Sequence, residues 1–242
     1  TPKTFDLTPR GRLMRRSAIL MVLVFLLPAY SSMAATVDGE LSDWSLESYM
    51  GTDSNGVSLH LDWDSSNLYL AWNGTDLAAS DGADLFFYLN TSEAGSVTAK
   101  SWNGIKTLPF AADYAIIVED STYAKIIGFN GTQWNDLADP EIYAGHSENK
   151  ITELSIPLSD IGNPSHMELI SWAQWQTAGN VWATFPMNNS FSQFSHFYSA
   201  TDLANQTPSD LTIEERATPE KVEDALNLAI IFHQHQPYYK NK

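Results

Sequence analysis

The sequence predicts an all-β fold, an antiparallel β-sandwich, over most of its length. Between residues 36 and 198, short alternating or apolar segments recur, and Gly, Asn, Asp and Ser separate them. No long segment shows the helical period, and many short strands with turns between them are typical of a sandwich. The chain has no cysteine. A domain of roughly 160 residues buries enough surface to be stable without disulfides.

The strongest strand signal is a pair of neighbouring segments. Residues 57–63 (VSLHLDW) alternate between apolar and polar, and residues 67–72 (NLYLAW) follow after an Asp-Ser-Ser turn. This pattern predicts a β-hairpin. Six further strands are expected at residues 83–89, 112–118, 123–129, 151–156, 167–174 and 180–185.

The first 34 residues have the pattern of a secretory signal. Four arginines lie between residues 10 and 16, an apolar run follows at 18–27, and Ser32-Met33-Ala34 supplies small residues for cleavage near Ala34. The run is shorter than the roughly 20 residues that a spanning helix needs. We therefore expect a secreted protein without a stable membrane anchor, and a retained anchor is the alternative. Residues 1–13 precede Met14 and are interpreted as upstream sequence.

Charge limits the classes of partner. Residues 1–34 hold five of the 13 basic and one of the 29 acidic residues, so the rest of the chain has a net charge of −20. Such a surface repels phosphate backbones, which argues against nucleic acid as a partner. Neutral polysaccharide is compatible with it. The acidity is equally explained as a means of staying soluble.

Two motifs in the expected sandwich resemble a known family. Residues 37–44 (VDGELSDW) resemble the V-D-G-x-x-x-D-W opening of carbohydrate-binding module family 9 and its DOMON-like relatives, and residues 156–162 (IPLSDIG) resemble a late turn of such domains. The resemblance implies a β-sandwich that binds carbohydrate and often holds structural calcium. Asp38, Asp43 and Asp81 offer the oxygen ligands that calcium prefers, although carboxylates that cap turns would look the same.

A haem-binding DOMON-like domain is a further alternative. Haem would need a histidine and a methionine as axial ligands, and His60 with Met50 is the nearby pair.

Aromatic side chains are the candidates for sugar binding, because a pyranose packs its C–H face on an aromatic ring. Trp102 and Trp134 lie in polar, Gly-flanked contexts that predict loops and exposed rings. Trp172 and Trp175 are an odd number of residues apart on one expected strand, so one should face the core and the other solvent. Core packing is the alternative for each ring. The candidates in this region are Trp102, Trp134, Trp172, Trp175, Trp182, Tyr123 and Tyr143.

The sequence divides into four parts: 1–34, the sandwich at 35–199, a connector at 200–225 rich in Pro, Ser, Thr and charge, and a terminal segment at 226–242. The terminal segment begins with a nearly unbroken apolar run and ends in His233-Gln234-His235-Gln236-Pro237. Such a run predicts a strand buried on both faces, and side chains two apart place both imidazoles on one side.

The terminal segment resembles the first signature of glycoside hydrolase family 57, His-x-His-Gln-Pro, matched here by His233, His235, Gln236 and Pro237. The resemblance implies the first strand of a truncated (β/α)7 barrel and a retaining hydrolase of α-glucans such as starch or glycogen. It places the catalytic glutamate and aspartate in later segments, which this sequence does not contain.

Three interpretations of the two histidines remain open. They bind a glucosyl unit, begin a zinc site, or serve the structure alone. The corresponding functions are the N-terminal part of an exported α-glucan hydrolase that uses the sandwich to hold polysaccharide, or a secreted carbohydrate-binding protein without catalysis.

Overall fold

In the computed structural model of the chain, the described residues are 35–77, 82–92, 94–100 and 105–216. They form an all-β architecture in which every paired strand runs antiparallel to its neighbour. All eight segments predicted as strands coincide with observed strands. The strands of the described residues are β1 (Tyr49–Thr52), β2 (Ser58–Trp63), β3 (Asn67–Asn73), β4 (Ala83–Asn90), β5 (Ser96–Thr98), β6 (Thr107–Ala112), β7 (Tyr114–Asp120), β8 (Tyr123–Phe129), β9 (Trp134–Ala138), β10 (Glu141–Tyr143), β11 (Ile151–Pro157), β12 (Met167–Trp175), β13 (Val181–Phe185), β14 (His196–Ala200) and β15 (Thr212–Glu215).

Two main sheets contain most of these strands. The first has the order β1-β2-β3-β11-β10, and the second has the order β15-β14-β12-β4-β7-β8-β9. Strand β13 also pairs with β12, on the C-terminal half of the edge whose N-terminal half pairs with β14. A small third sheet consists of β5 and β6.

The main core lies between the two large sheets. Alternate residues of β2 and β3, such as Leu61 and Trp72, face alternate residues of β4 and β7, such as Phe87 and Val118. The Trp72 indole meets the ring of Phe87 edge-on at a centroid distance of 6.2 Å. This packing confirms the sandwich and explains the period of two in these strands.

A second core covers the other face of the larger sheet. The Trp172 ring stacks on Phe86 and on Tyr88, each at 5.1 Å between centroids. Strand β6 and residues 191–197 close over this cluster, with Phe110 and Phe194 among its buried side chains. The larger sheet is therefore buried on both faces, which accounts for the almost uninterrupted apolar sequence of β4.

The VDGELSDW segment lies on the outer face of the first sheet, where Glu153 of β11 holds it. The Glu153 carboxylate is buried and accepts from the backbone N–H of Asp38 (2.9 Å), the backbone N–H of Gly39 (2.5 Å) and the Trp44 indole N–H (2.7 Å). Gly39 has φ +87°, and a Cβ at this position would lie 2.4 Å from the Tyr143 ring. The glycine is thus required by both its backbone conformation and its close approach.

The IPLSDIG segment forms the end of β11 and a 3-10 helix at Leu158–Ile161. Gly162 ends that helix in the left-handed region (φ +82°) and donates its N–H to the Leu158 carbonyl. A glycine in this conformation is a common helix terminator. Two other 3-10 helices, Leu46–Ser48 and Pro208–Asp210, flank the sheets.

The second sheet continues beyond the boundary predicted at residue 199. Strand β14 ends at Ala200, and β15 pairs with it at Thr212–Glu215. Between them, the Leu203 carbonyl accepts from the Trp63 indole N–H at 2.9 Å. The polar composition of residues 200–225 predicted a connector. Up to residue 216, these polar residues instead form turns and an exposed strand at the edge of the sheet.

The signal segment, the rest of the predicted connector and the predicted first barrel strand at 226–242 lie outside the described residues. Within the described ranges, no helix is both long and apolar enough to cross a bilayer.

We expect Glu153→Gln to destabilise the fold by about 1–3 kcal/mol, because an amide cannot accept from all three N–H groups and leaves a buried donor unpaired. Urea unfolding measured by far-UV circular dichroism would test this. Glu141→Gln is a matched control, since Glu141 lies on the neighbouring strand but is exposed. Equal unfolding midpoints for the two variants would contradict the role of Glu153.

Candidate functional site

A cleft of about 620 Å³ opens on the outer side of the larger sheet. Three parts of the chain border it: the start of β6, the turn between β12 and β13 (residues 176–180, the β12–β13 turn), and the segment that follows β13. Its lining mixes apolar and polar side chains, which include Ile105, Lys106, Asn180, Val181, Phe191 and Gln193. A concave surface with a few polar groups is the usual form of a small-ligand site.

Phe191 supplies the aromatic surface of this cleft. Half of its surface (50%) is exposed to solvent, although its neighbour Phe194 is buried in the second core. An aromatic ring that a folded protein leaves this open offers a planar apolar face to a ligand. We call this site the Phe191 cleft.

Asn189 holds the segment that carries Phe191. Its side-chain oxygen accepts from the backbone N–H groups of Ser195 (2.7 Å) and His196 (2.8 Å). Its amide donates to the carbonyls of Pro186 (3.1 Å) and His196 (2.8 Å). Asn189 is itself 6% exposed, so these bonds are shielded from water. Phe191 is therefore presented on a pre-organised loop, which lowers the entropy lost when a ligand binds.

The second exposed aromatic surface is a pair of stacked indoles at the end of the sandwich. Trp175 ends β12 with 42% of its surface exposed, and its ring lies 5.4 Å from that of Trp182 with 26° between the planes. Ala173 pairs with Ala183 and Gln174 with Val181, so Trp182 is the extra residue of a β-bulge. A bulge redirects the side chain of the extra residue, and here it brings the two indoles together.

The cleft and the indole pair lie beside the same turn. The Asn180 carbonyl accepts from the Trp175 backbone N–H at 3.0 Å, and Asn180 also lines the cleft. The Lys106 ammonium, on the opposite wall, donates to the Gly179 carbonyl at 3.2 Å. Gln176 bonds the Glu119 carboxylate through its side chain. These contacts fix the β12–β13 turn between the two aromatic surfaces.

The predicted pair of loop tryptophans is not found as such. Trp134 begins strand β9, is half-buried, and donates its indole N–H to the Thr98 carbonyl at 3.1 Å. Its ring meets Tyr88 edge-on at 5.4 Å, so it seals the second core. The loop placement of Trp134 was wrong, because polar neighbours belonged to a short edge strand. Trp102 lies outside the described residues.

The expectation for Trp172 and Trp175 is confirmed. Trp172 is fully buried and Trp175 is exposed. The period of two along β12 places the two rings on opposite faces, and Trp175 is exposed because it is the last residue of β12, beyond Ala173 of the core between the sheets.

The carboxylates proposed for calcium have turn contacts. Asp38 accepts from the backbone N–H of Glu40 at 2.9 Å, and Asp43 accepts from that of Thr36 at 2.6 Å. Asp81 lies outside the described residues. In the described part of the chain, no three His, Asp or Glu side chains form a group that could hold a metal ion. The calcium site stays a prediction.

Two hypotheses that involve histidines are left: His60 with Met50 as haem ligands, and the terminal pair His233 and His235. His60 contacts the rings of Trp44 and Tyr49 on the outer face of the first sheet, whereas Met50 packs against the core between the sheets. The two cannot converge on one haem iron in this arrangement. His233, His235, Gln236 and Pro237 lie outside the described residues, and the three interpretations of the histidine pair stay open.

No protein-family model matches the chain, and no curated protein matches it significantly. Among solved structures, the chain is similar to a carbohydrate binding module family 9 (CBM9) from Caldicellulosiruptor kristjanssonii in complex with cellotriose. The two are 13% identical, with a TM-score of 0.37, and the match covers 80% of this chain and 94% of that one. At this level of similarity, the function has to be argued from the residues of the chain itself.

Sequence reasoning did not single out Phe191 or Asn189. Phe191 stands in the polar run Asn-Asn-Ser-Phe-Ser-Gln, and a lone aromatic residue in such a run is a signal of exposure. Trp182 was one aromatic candidate among several. Its contact with Trp175 depends on a bulge that the sequence does not indicate.

Asp84 is a buried acid behind this end of the sheet. It is fully buried, and neither carboxyl oxygen has a hydrogen-bond partner in the described structure. Burial, together with the nearby charges of Glu119 and Asp120, raises the pKa of Asp84 from 3.8 to about 7. An acid with a raised folded-state pKa keeps its proton longer when folded, so folding loses stability as the pH rises from about 4 to 7.

We expect Asp84→Asn to stabilise the chain above about pH 7, on the order of 1–3 kcal/mol, because it removes an unpaired buried charge. Thermal unfolding at about pH 8 and about pH 4.5 would show a gain at the first pH that shrinks at the second. Asp136→Asn, at an exposed carboxylate, serves as the control. A gain independent of pH would contradict the assignment.

Proposed function

We propose that the β-sandwich binds a neutral polysaccharide, and that the Phe191 cleft is its sugar site. A pyranose would pack its C–H face on the half-exposed Phe191 ring, while Lys106, Asn180 and Gln193 lie within the same cleft as partners for hydroxyl groups. The observation that supports this most is the half-exposed ring itself, on a segment whose backbone the buried Asn189 fixes.

The charge of the chain supports the same class of ligand. With a net charge of −20 outside the first 34 residues, anionic polymers would be repelled. A neutral glycan meets no such barrier. Its hydroxyl groups need hydrogen-bond partners rather than opposite charges.

The site belongs, in this proposal, to an exported protein that acts on α-glucans such as starch or glycogen. Two sequence features support it: the signal pattern ending near Ala34, and the His-x-His-Gln-Pro motif at residues 233–237. In this proposal His233 and His235 bind a glucosyl unit in a family 57 type catalytic domain, and the sandwich holds the polysaccharide. The alternative is a secreted carbohydrate-binding protein without catalysis, in which the sandwich carries the whole function.

We expect Phe191→Ala to weaken oligosaccharide binding by about tenfold or more, because a stacking contact contributes roughly 1.5 kcal/mol. Isothermal titration of the 242-residue chain with maltohexaose and with cellohexaose would measure this. Leu137→Ala is the control, since Leu137 is equally exposed (54%) but lies on β9. Unchanged affinity in Phe191→Ala, or no binding of any neutral glycan by the parent chain, would refute the site.

The same titrations separate the α-glucan proposal from the broader one. Binding of maltohexaose over cellohexaose supports an α-glucan ligand. A preference for cellohexaose would overturn that specificity and leave the polysaccharide site in place.

We expect export with cleavage near Ala34. Intact mass measured after expression in a bacterial host would show a periplasmic or medium protein that begins at about residue 35. A cell-bound product that retains the apolar run would contradict cleavage and favour the anchor.

A further inference from the structure

We propose that the Trp175–Trp182 pair is a second sugar-stacking surface, and that one oligosaccharide chain bends around strand β13 to contact both this pair and the Phe191 cleft. This inference rests on the proposed polysaccharide site. It specifies how many aromatic surfaces contact the sugar chain and which shape of sugar chain the sandwich binds.

Trp175 presents an exposed indole at the end of β12. An indole is the largest aromatic surface a side chain can offer, and nothing in the second core requires Trp175 because Trp172 fills that core from the same strand. Trp175 lies on the opposite face of β12 and protrudes past the last core residue of that strand, Ala173. Its 42% exposure leaves one face of the indole for a ligand.

Trp182 fixes the orientation of that ring. The two indoles stack at 5.4 Å, and Trp182 packs in turn against the core between the sheets. The Trp182 carbonyl also accepts from the Asn55 side-chain amide at 2.8 Å, which ties the pair to the turn between β1 and β2. Trp175 is therefore backed by a partly buried ring that packs on the core, rather than free to rotate in solvent. A rigid ring loses little entropy on binding.

Strand β13 lies between the two aromatic surfaces. Val181 faces the second core and lines the Phe191 cleft, whereas the next residue, Trp182, faces the core between the sheets. In the described structure β13 pairs with no strand other than β12, and the Trp182 carbonyl accepts from the Asn55 side chain. A chain that contacts both surfaces has to pass over β13 or over the β12–β13 turn.

The positions of the two surfaces restrict the shape of a ligand that can contact both. An extended, ribbon-like glycan would meet one surface or the other, because they lie on opposite sides of β13. An α-1,4-linked glucan curves as it lengthens and can pass around β13. The geometry thus selects a curved chain of several units, and a short oligosaccharide would occupy the Phe191 cleft alone.

The test is a titration of the 242-residue chain with maltotriose and with longer malto-oligosaccharides up to maltooctaose. We expect Trp175→Ala to weaken the long ligands by about tenfold and to leave maltotriose unchanged, since a lost stacking contact is felt only by a ligand that reaches it. Phe191→Ala should weaken both. The stoichiometry should be one long chain per protein molecule.

Two further variants serve as controls. Trp175→Phe keeps an aromatic face and should recover most of the affinity for long ligands. Tyr49→Ala removes an exposed ring of similar exposure (48%) on the first sheet and should change nothing. Thermal unfolding of each variant verifies that it is folded. Because Trp175 is exposed, we do not expect its replacement to unfold the chain.

Each outcome decides one point. Equal loss of maltotriose and maltooctaose affinity in Trp175→Ala, or no loss at all, would overturn the second surface while the Phe191 cleft stands. Two long chains per protein molecule would overturn the bent single chain. If the parent chain binds none of these sugars, the proposed polysaccharide function fails first.

Discussion

The pairing of β4 with β12 is the constraint on which the rest of the structure depends. The two strands match residue by residue from Ala83 opposite Trp175 to Asn90 opposite Glu168. Their side chains alternate between two separate cores, with Phe87 in one and Phe86 in the other. Because both faces are buried, a shift of one residue would exchange the two cores, and the register is strongly determined.

The second core explains why the candidate site lies where it does. One sheet covers one face of the β4–β12 pair, but the other face is covered by β6 and the segment that follows β13. Among the described residues, both coverings reach the β12–β13 turn, and the Phe191 cleft opens where the three meet. Asn189 then supplies the hydrogen bonds that the irregular segment cannot obtain from a ladder.

The long interior strands were predictable because their apolar pattern follows directly from burial. The short strands were not. Strand β5 has three residues with little burial, and β15 has four exposed residues, so neither leaves a hydrophobic period in the sequence. Their strand conformation comes from backbone bonds to a neighbour that is distant in sequence. For the same reason, the observed sheet extends beyond the boundary predicted at residue 199. The sequence of β15 has the composition of a polar connector, and only its pairing with β14 makes it a strand.

What the sequence by itself determined is the all-β class, the eight principal strands and the opposite placement of Trp172 and Trp175, since each follows from a local period of two. It also contained the glycine that the VDGELSDW segment needs, although not the buried Glu153 that holds this segment. The tertiary structure alone decided that Trp182 meets Trp175, that Phe191 stays open while Trp134 closes a core, and that Asp84 is buried with no hydrogen-bond partner among the described residues. Those outcomes depend on a bulge, a third layer and the packing of strands far apart in the chain, and no local pattern of residue types encodes such contacts.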